Sequence, residues 1–68
     1  MSQHKFTVEL PGQDPVTGLA GQEALNAMSD YFQTQSYAPA WHELARLVSV
    51  ARKGVSASQN GVLIYLDK

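Results

Sequence analysis

The sequence predicts a small α+β domain of order β-α-α-β(-β), an antiparallel sheet of two or three strands packed on two helices. Three observations predict it. Residues 5–10 alternate strictly between polar and apolar, two later stretches carry apolar residues at helical spacing, and an apolar run of strand formers at 62–66 follows Asn60-Gly61. At 68 residues the chain is expected to form one domain, residues 1–68.

The first strand is expected over about 5–10. Phe6, Val8 and Leu10 fall on one face and Lys5, Thr7 and Glu9 on the other, the pattern of a half-buried strand. Pro11-Gly12 ends it, because proline cannot donate to a ladder and glycine opens a turn. Residues 12–18 then read as a polar connection. In the first helix, about 19–34, Ala24, Leu25, Met28, Tyr31 and Phe32 make one apolar stripe. Thr17 is the expected N-cap, although Gly18 and Gly21 disfavour a helix interior and allow the start to slip to about residue 21.

The second helix, about 39–53, is punctuated at both ends. Pro39 suits the first helical position, where a missing N–H is no loss, and Gly54 suits the left-handed position that closes the helix. Trp41, Leu44, Val48 and Ala51 form its stripe, and Arg52 and Lys53 complement the dipole in the last turn. The last strand, about 62–67, is apolar at nearly every position, which suggests burial on both faces. Asn60-Gly61 is a strong signal for a two-residue hairpin turn, since both central residues of a type I′ turn need positive φ. Residues 55–59 are then either a pairing arm or a plain loop.

Composition narrows the classes of function. Hydrophobic residues make up 44% of the chain and charged residues only 16%, so part of the apolar surface is expected to be covered by another molecule. Chains of this size usually need a disulfide, a metal or a partner, and the absence of cysteine removes disulfides and thiolate sites. A net charge of −1 gives no field for non-specific DNA binding. No stretch of 18 apolar residues spans a membrane, and the opening residues show no apolar leader, so the cytoplasm is the expected compartment. A sheet of two or three strands also has open edges, and a two-fold homodimer relieves them, either by continuing the sheet or by packing helix stripes together.

Catalytic and metal motifs do not assemble. His42-Glu43-Leu44-Ala45-Arg46 resembles the zinc-protease H-E-x-x-H only until Arg46, which stays protonated and cannot ligate. His42, Arg46, Ser49 and Lys53 read instead as a solvated helix face, with Glu43 near Arg46. The six carboxylates, Glu9, Asp14, Glu23, Asp30, Glu43 and Asp67, are spread over separate polar surfaces, where a catalytic pair needs two facing groups in a cleft. No serine lies in a nucleophile elbow, and the glycines match neither a P-loop nor a dinucleotide fingerprint. No enzyme activity, cofactor, metal or small-molecule substrate is expected.

A strand with outward Lys5, Thr7 and Glu9 followed by two helices resembles, over residues 5–53, the ribbon-helix-helix repressors. Those proteins pair the N-terminal strand across a dimer and lay it in the major groove. The resemblance implies Lys5 and Thr7 as nucleic-acid contacts. The chain departs from the family in its long 12–18 connection, in Glu9 facing phosphates, and in a further strong strand after helix two. A winged helix-turn-helix is a second version, in which helix two would present Arg46, Arg52 and Lys53, although the connection at 34–38 is loose for that motif. Against these stand the aromatic residues, since Trp and Tyr join large apolar area to a hydrogen-bonding tip and dominate protein interfaces. Tyr31, Tyr37, Trp41 and Tyr65 are the candidate partner contacts, with Trp41 and Phe32 otherwise expected in the core between the helices. The resulting expectation is a non-enzymatic, homodimeric accessory or inhibitor-type protein of bacterial or phage style that binds an unidentified protein. A dimeric DNA-binding regulator is the alternative.

Overall fold

The computed structural model describes residues 4–36 and 38–67. The elements run β1 (Phe6–Glu9), β2 (Val16–Leu19), α1 (Gly21–Gln33), α2 (Trp41–Arg52), β3 (Ala57–Gln59) and β4 (Val62–Leu66). The strands form one antiparallel sheet in the order β2-β1-β4-β3, and both helices pack on the same side of it. The α+β class and the position of the long strands and helices follow the sequence expectation, but the sheet has four strands where two or three were expected. The first and last strands lie side by side at its centre, with Phe6 opposite Leu66, Val8 opposite Ile64 and Glu9 opposite Leu63.

The additional strand is β2, which occupies part of the expected 12–18 connection. Pro11 and Gly12 (φ +75°) make the turn that precedes it, closed by the Gln13 N–H donating to the Leu10 carbonyl at 3.1 Å. Phe6 faces Leu19 and Val8 faces Val16, so Thr7 alone stands against both Thr17 and Gly18, and the strand is bulged there. Gly18 takes φ +71° at the bulge, which a side chain would strain. Residues 16–18 are all exposed, so this edge has no apolar face to write an alternating pattern into the sequence. A bulged edge and a three-residue edge, β3, also give a second chain little to pair with.

At the other end Asn60 (φ +51°) and Gly61 (φ +88°) make a two-residue hairpin loop between Gln59 and Val62, so residues 57–59 are the pairing arm. On β4, Val62 and Ile64 are fully buried beneath the helices, while Leu63 and Tyr65 on the other face are half-buried. The expectation of burial on both faces is corrected: helices cover one face only. An apolar composition on both faces hid the period of two.

Both helices have alanine at the N-cap; α1 begins at Gly21, the later start that the glycines allowed, but its cap is not Thr17. Thr17 lies in β2, and Ala20 precedes α1; the Glu23 carboxylate accepts the Ala20 N–H at 2.8 Å. Ala40 precedes α2, with the Glu43 carboxylate accepting its N–H at 3.0 Å. Pro39 therefore stands before the helix, not at its first position. In each case a glutamate in the first turn does the work of the missing capping side chain and places negative charge at the positive end of the dipole. Gly54 (φ +93°) closes α2 as expected, its N–H donating to the Ala51 carbonyl at 2.9 Å. The core between the layers is built on Phe6, Val8, Met28, Leu44, Val62 and Ile64, with Ala24, Leu25, Phe32, Leu47, Val48 and Ala51 closing around them.

One polar side chain ties the sheet across its width. Asp67, just past β4, reaches over β1 to β2, where it accepts the Thr7 hydroxyl on Oδ1 and the Gly18 N–H on Oδ2 at 2.7 Å. The bulge amide thus finds an acceptor that no neighbouring strand supplies. Hydrogen bonds to a charged acceptor contribute about 1.5–3 kcal/mol, so Asp67→Ala is expected to cost about 2 kcal/mol of stability. Urea unfolding should show a lowered midpoint at unchanged slope. An unchanged midpoint would mean that the tie contributes nothing.

Candidate interaction surfaces

The outer face of the helix layer carries a groove of about 210 Å³ between α1 and α2. Its floor is apolar, from Leu25, Ala45 and Val48, and its rim is polar, from Gln22, Ser49 and Arg52. Gly21 opens the upper end; a Cβ there would stand 2.8 Å from Nη2 of Arg52. The Arg52 guanidinium lies over the Phe6 ring, 6.0 Å from its centroid, in a cation–π arrangement. A second, smaller cleft of about 160 Å³ lies at the far end of α1, lined by Tyr31, Phe32, Gln35, Ser36 and Asn60.

Trp41 does not join the core. It is 52% exposed, although it shares the stripe of Leu44, Val48 and Ala51. The reason lies in its position as the first helical residue. A helical side chain leans toward the N-terminus and covers the preceding turn, and at the first position there is no preceding turn to cover. Phe32, by contrast, is buried as expected, and Tyr31 meets its ring edge-on at 5.3 Å and 71°. Tyr31 is half-buried against the core.

The sheet face away from the helices carries a polar pair beside the Asp67 tie. The Tyr65 hydroxyl donates to Oε2 of Glu9 at 2.5 Å. That bond to Glu9 raises the Tyr65 pKa above the ordinary 10.0, helped by desolvation and by the negative charges of Glu9 and Asp67. Glu9 and Asp67 therefore share one face, which corrects the expectation that all six carboxylates occupy separate surfaces. Their separation in sequence, and the lack of any local motif, left no signal for the convergence.

Of the candidate partner contacts, Tyr65 stands on the opposite side of the sheet from Tyr31 and Trp41, and Tyr37 lies outside the described residues. Among the candidate nucleic-acid contacts, Thr7 is corrected from an outward reader to a buried group, 4% exposed and committed to Asp67. Lys5, just before β1, is exposed, as are Arg46 and Arg52 on α2 and Lys53 at its C-terminal end. β1 has β2 on one edge and β4 on the other, which leaves no free edge for the strand pairing of a ribbon-helix-helix dimer. His42, Arg46, Ser49 and Lys53 are all exposed, and Glu43 binds the Ala40 N–H. Among the described residues no group of three His, Asp or Glu side chains converges. The groove residues had no sequence signature beyond small Gly21 and Ala45 between larger neighbours.

No family model, curated protein or solved structure matches the chain.

Tyr65 supplies a direct probe of the open face. In a Tyr31→Phe, Tyr37→Phe background, absorbance at 295 nm should show Tyr65 ionising above pH 10, and Glu9→Gln should bring the midpoint back toward 10.0. Because the folded value is raised, the contribution of this pair is complete below pH 10 and is lost as pH rises through the folded value. A midpoint indifferent to Glu9→Gln would show that the bond does not hold in solution.

Proposed function

We propose that this chain is a non-enzymatic protein-binding module of the accessory or inhibitor type that acts as a homodimer. The observation that carries the reading is Trp41: a large aromatic side chain, half in solvent, on a rigid helical position. Tryptophan placed this way is costly to leave wet and valuable to bury against another chain. Supporting it, the helices cover one face of the sheet only, and the other presents half-buried Leu63 and Tyr65 among polar neighbours, the mixed character of a protein-binding surface. Under this reading no bond is made or broken. The module acts by occlusion or scaffolding, with the bacterial or phage setting a matter of size and style alone.

Sedimentation equilibrium over a hundredfold concentration range tests the dimer. A species of twice the 7.4 kDa chain mass is expected at the upper end, and a 7.4 kDa species throughout would defeat the homodimer. Fluorescence anisotropy with random duplex DNA at low salt should show no binding at micromolar protein. Salt-sensitive binding there would favour the regulator instead.

A further inference from the structure

The β3–β4 hairpin turns on Asn60 and Gly61, both exposed and both at positive φ. Asparagine tolerates this region better than most side chains, and Asn-Gly is a preferred pair for a type I′ turn. The same pair sets a carboxamide beside a main-chain nitrogen that no following side chain shields. Among the described residues no hydrogen bond holds the Asn60 carboxamide or the Gly61 N–H, so both are free to react. Asn26, the other asparagine of the chain, is the opposite case. It lies inside α1 and accepts the Gln22 side-chain amide at 3.1 Å, and the N–H of Ala27 after it is committed to the helix ladder.

We propose that Asn60 is a self-modification site, converting to aspartate and isoaspartate through a cyclic imide formed with Gly61, and that the isoaspartate form opens the β3–β4 hairpin. Asparagine is among the chemically labile side chains, and this position removes each of the usual protections. The Gly61 nitrogen gives its proton to solvent and attacks Cγ of Asn60. The N–Cγ bond forms, the Cγ–Nδ2 bond breaks, and Nδ2 leaves as ammonia with a proton from water. Water then opens the ring. Cleavage at N–Cγ restores the original backbone and leaves aspartate. Cleavage between that nitrogen and the main-chain carbonyl carbon of residue 60 routes the chain through the side chain and leaves isoaspartate. In sum one water is consumed and one ammonia released, with no change of oxidation state.

The two products differ in what the turn can bear. Aspartate keeps the chain length and tolerates positive φ, and Asp-Gly also suits a type I′ turn. Isoaspartate adds one methylene to the main chain between Gln59 and Gly61, so the loop no longer matches the two-residue span that pairs Gln59 with Val62. β3 has only three residues, and its remaining pairs are Ser58 with Leu63 and Ala57 with Ile64. It is also the outer strand, so it can open while β1 stays paired with the other edge of β4. The modification thus frees one edge of the sheet and uncovers Ala57 while the central pair holds.

The test incubates the intact chain in mildly alkaline buffer, where loss of the Gly61 proton is easiest, beside the same chain unfolded in guanidinium chloride. Mass spectrometry of the fragment after Lys53, with isoaspartyl methyltransferase labelling, reads the products. Residue 60 of the folded chain is expected to gain the amide-to-carboxyl mass difference at least tenfold faster than residue 26, and within tenfold of its rate in the unfolded chain. Asn60→Gly, which keeps a Gly-Gly turn, should gain nothing there. Gly61→Ala is a poor control, since at its positive φ a Cβ would stand 3.1 Å from Cγ of Pro11. By hydrogen exchange the isoaspartate form should lose amide protection in β3 and keep it in β1, and Asn60→Asp should keep both. A folded chain still unmodified at residue 60 when the unfolded chain has converted overturns the site. An isoaspartate form with β3 protection intact overturns the opening of the hairpin.

Discussion

The pairing of β1 with β4 is the constraint on which everything else depends. These strands come from opposite ends of the described chain, and they form the centre of the sheet, each carrying an outer neighbour. Their alternate residues Phe6, Val8, Val62 and Ile64 make the floor on which both helices rest. The helix residues exposed by 2% or less, Ala24, Met28, Leu44 and Ala51, have no other surface to pack on. Without the β1–β4 seam, the two hairpins would each be a two-stranded ribbon, which is marginal in water at best.

A sheet covered on one side must manage the other by polar chemistry. Here the open face joins its central strands through side chains: Asp67 to Thr7 and to the bulge amide of Gly18, and Tyr65 to Glu9. Thr7 is nearly solvent-free although no helix lies above it, because it sits on a central strand opposite Tyr65 and beneath the Asp67 contact. The side of the molecule that looks vacant in the fold is thus partly occupied by its own hydrogen bonds. The helix layer, by contrast, leaves its apolar groove and Trp41 without cover.

What was legible in the sequence was whatever rests on local geometry or on one-sided burial. Asn60-Gly61 announced its turn because few other pairs tolerate positive φ twice in succession, and both helices announced themselves by stripes that do face the core. β2 was illegible because a bulged, exposed edge strand has neither an apolar face nor an uninterrupted register. The two faces of β4 were indistinguishable because Leu63 and Tyr65 are as apolar in composition as their buried neighbours. Trp41 shows a subtler limit: periodicity assigns an angle around the helix axis but not a position along it, and the end of the helix decides its exposure. The convergence of Thr7 with Asp67 and of Glu9 with Tyr65 is a product of topology, joining positions 60 and 56 residues apart, and no local pattern encodes it.

Central strands drawn from the two ends also fix when the molecule can form. The decisive contacts close a loop of nearly the whole chain, at an entropy cost of about 3.5 kcal/mol before any of them is rewarded. The intervening helices are 13 and 12 residues long, near the lower limit at which isolated helices persist, so little stable structure can precede closure. Folding is therefore expected to be governed by a long-range search, slow for so small a chain. On a ribosome, residues 6–52 must wait in the open until β4 has emerged.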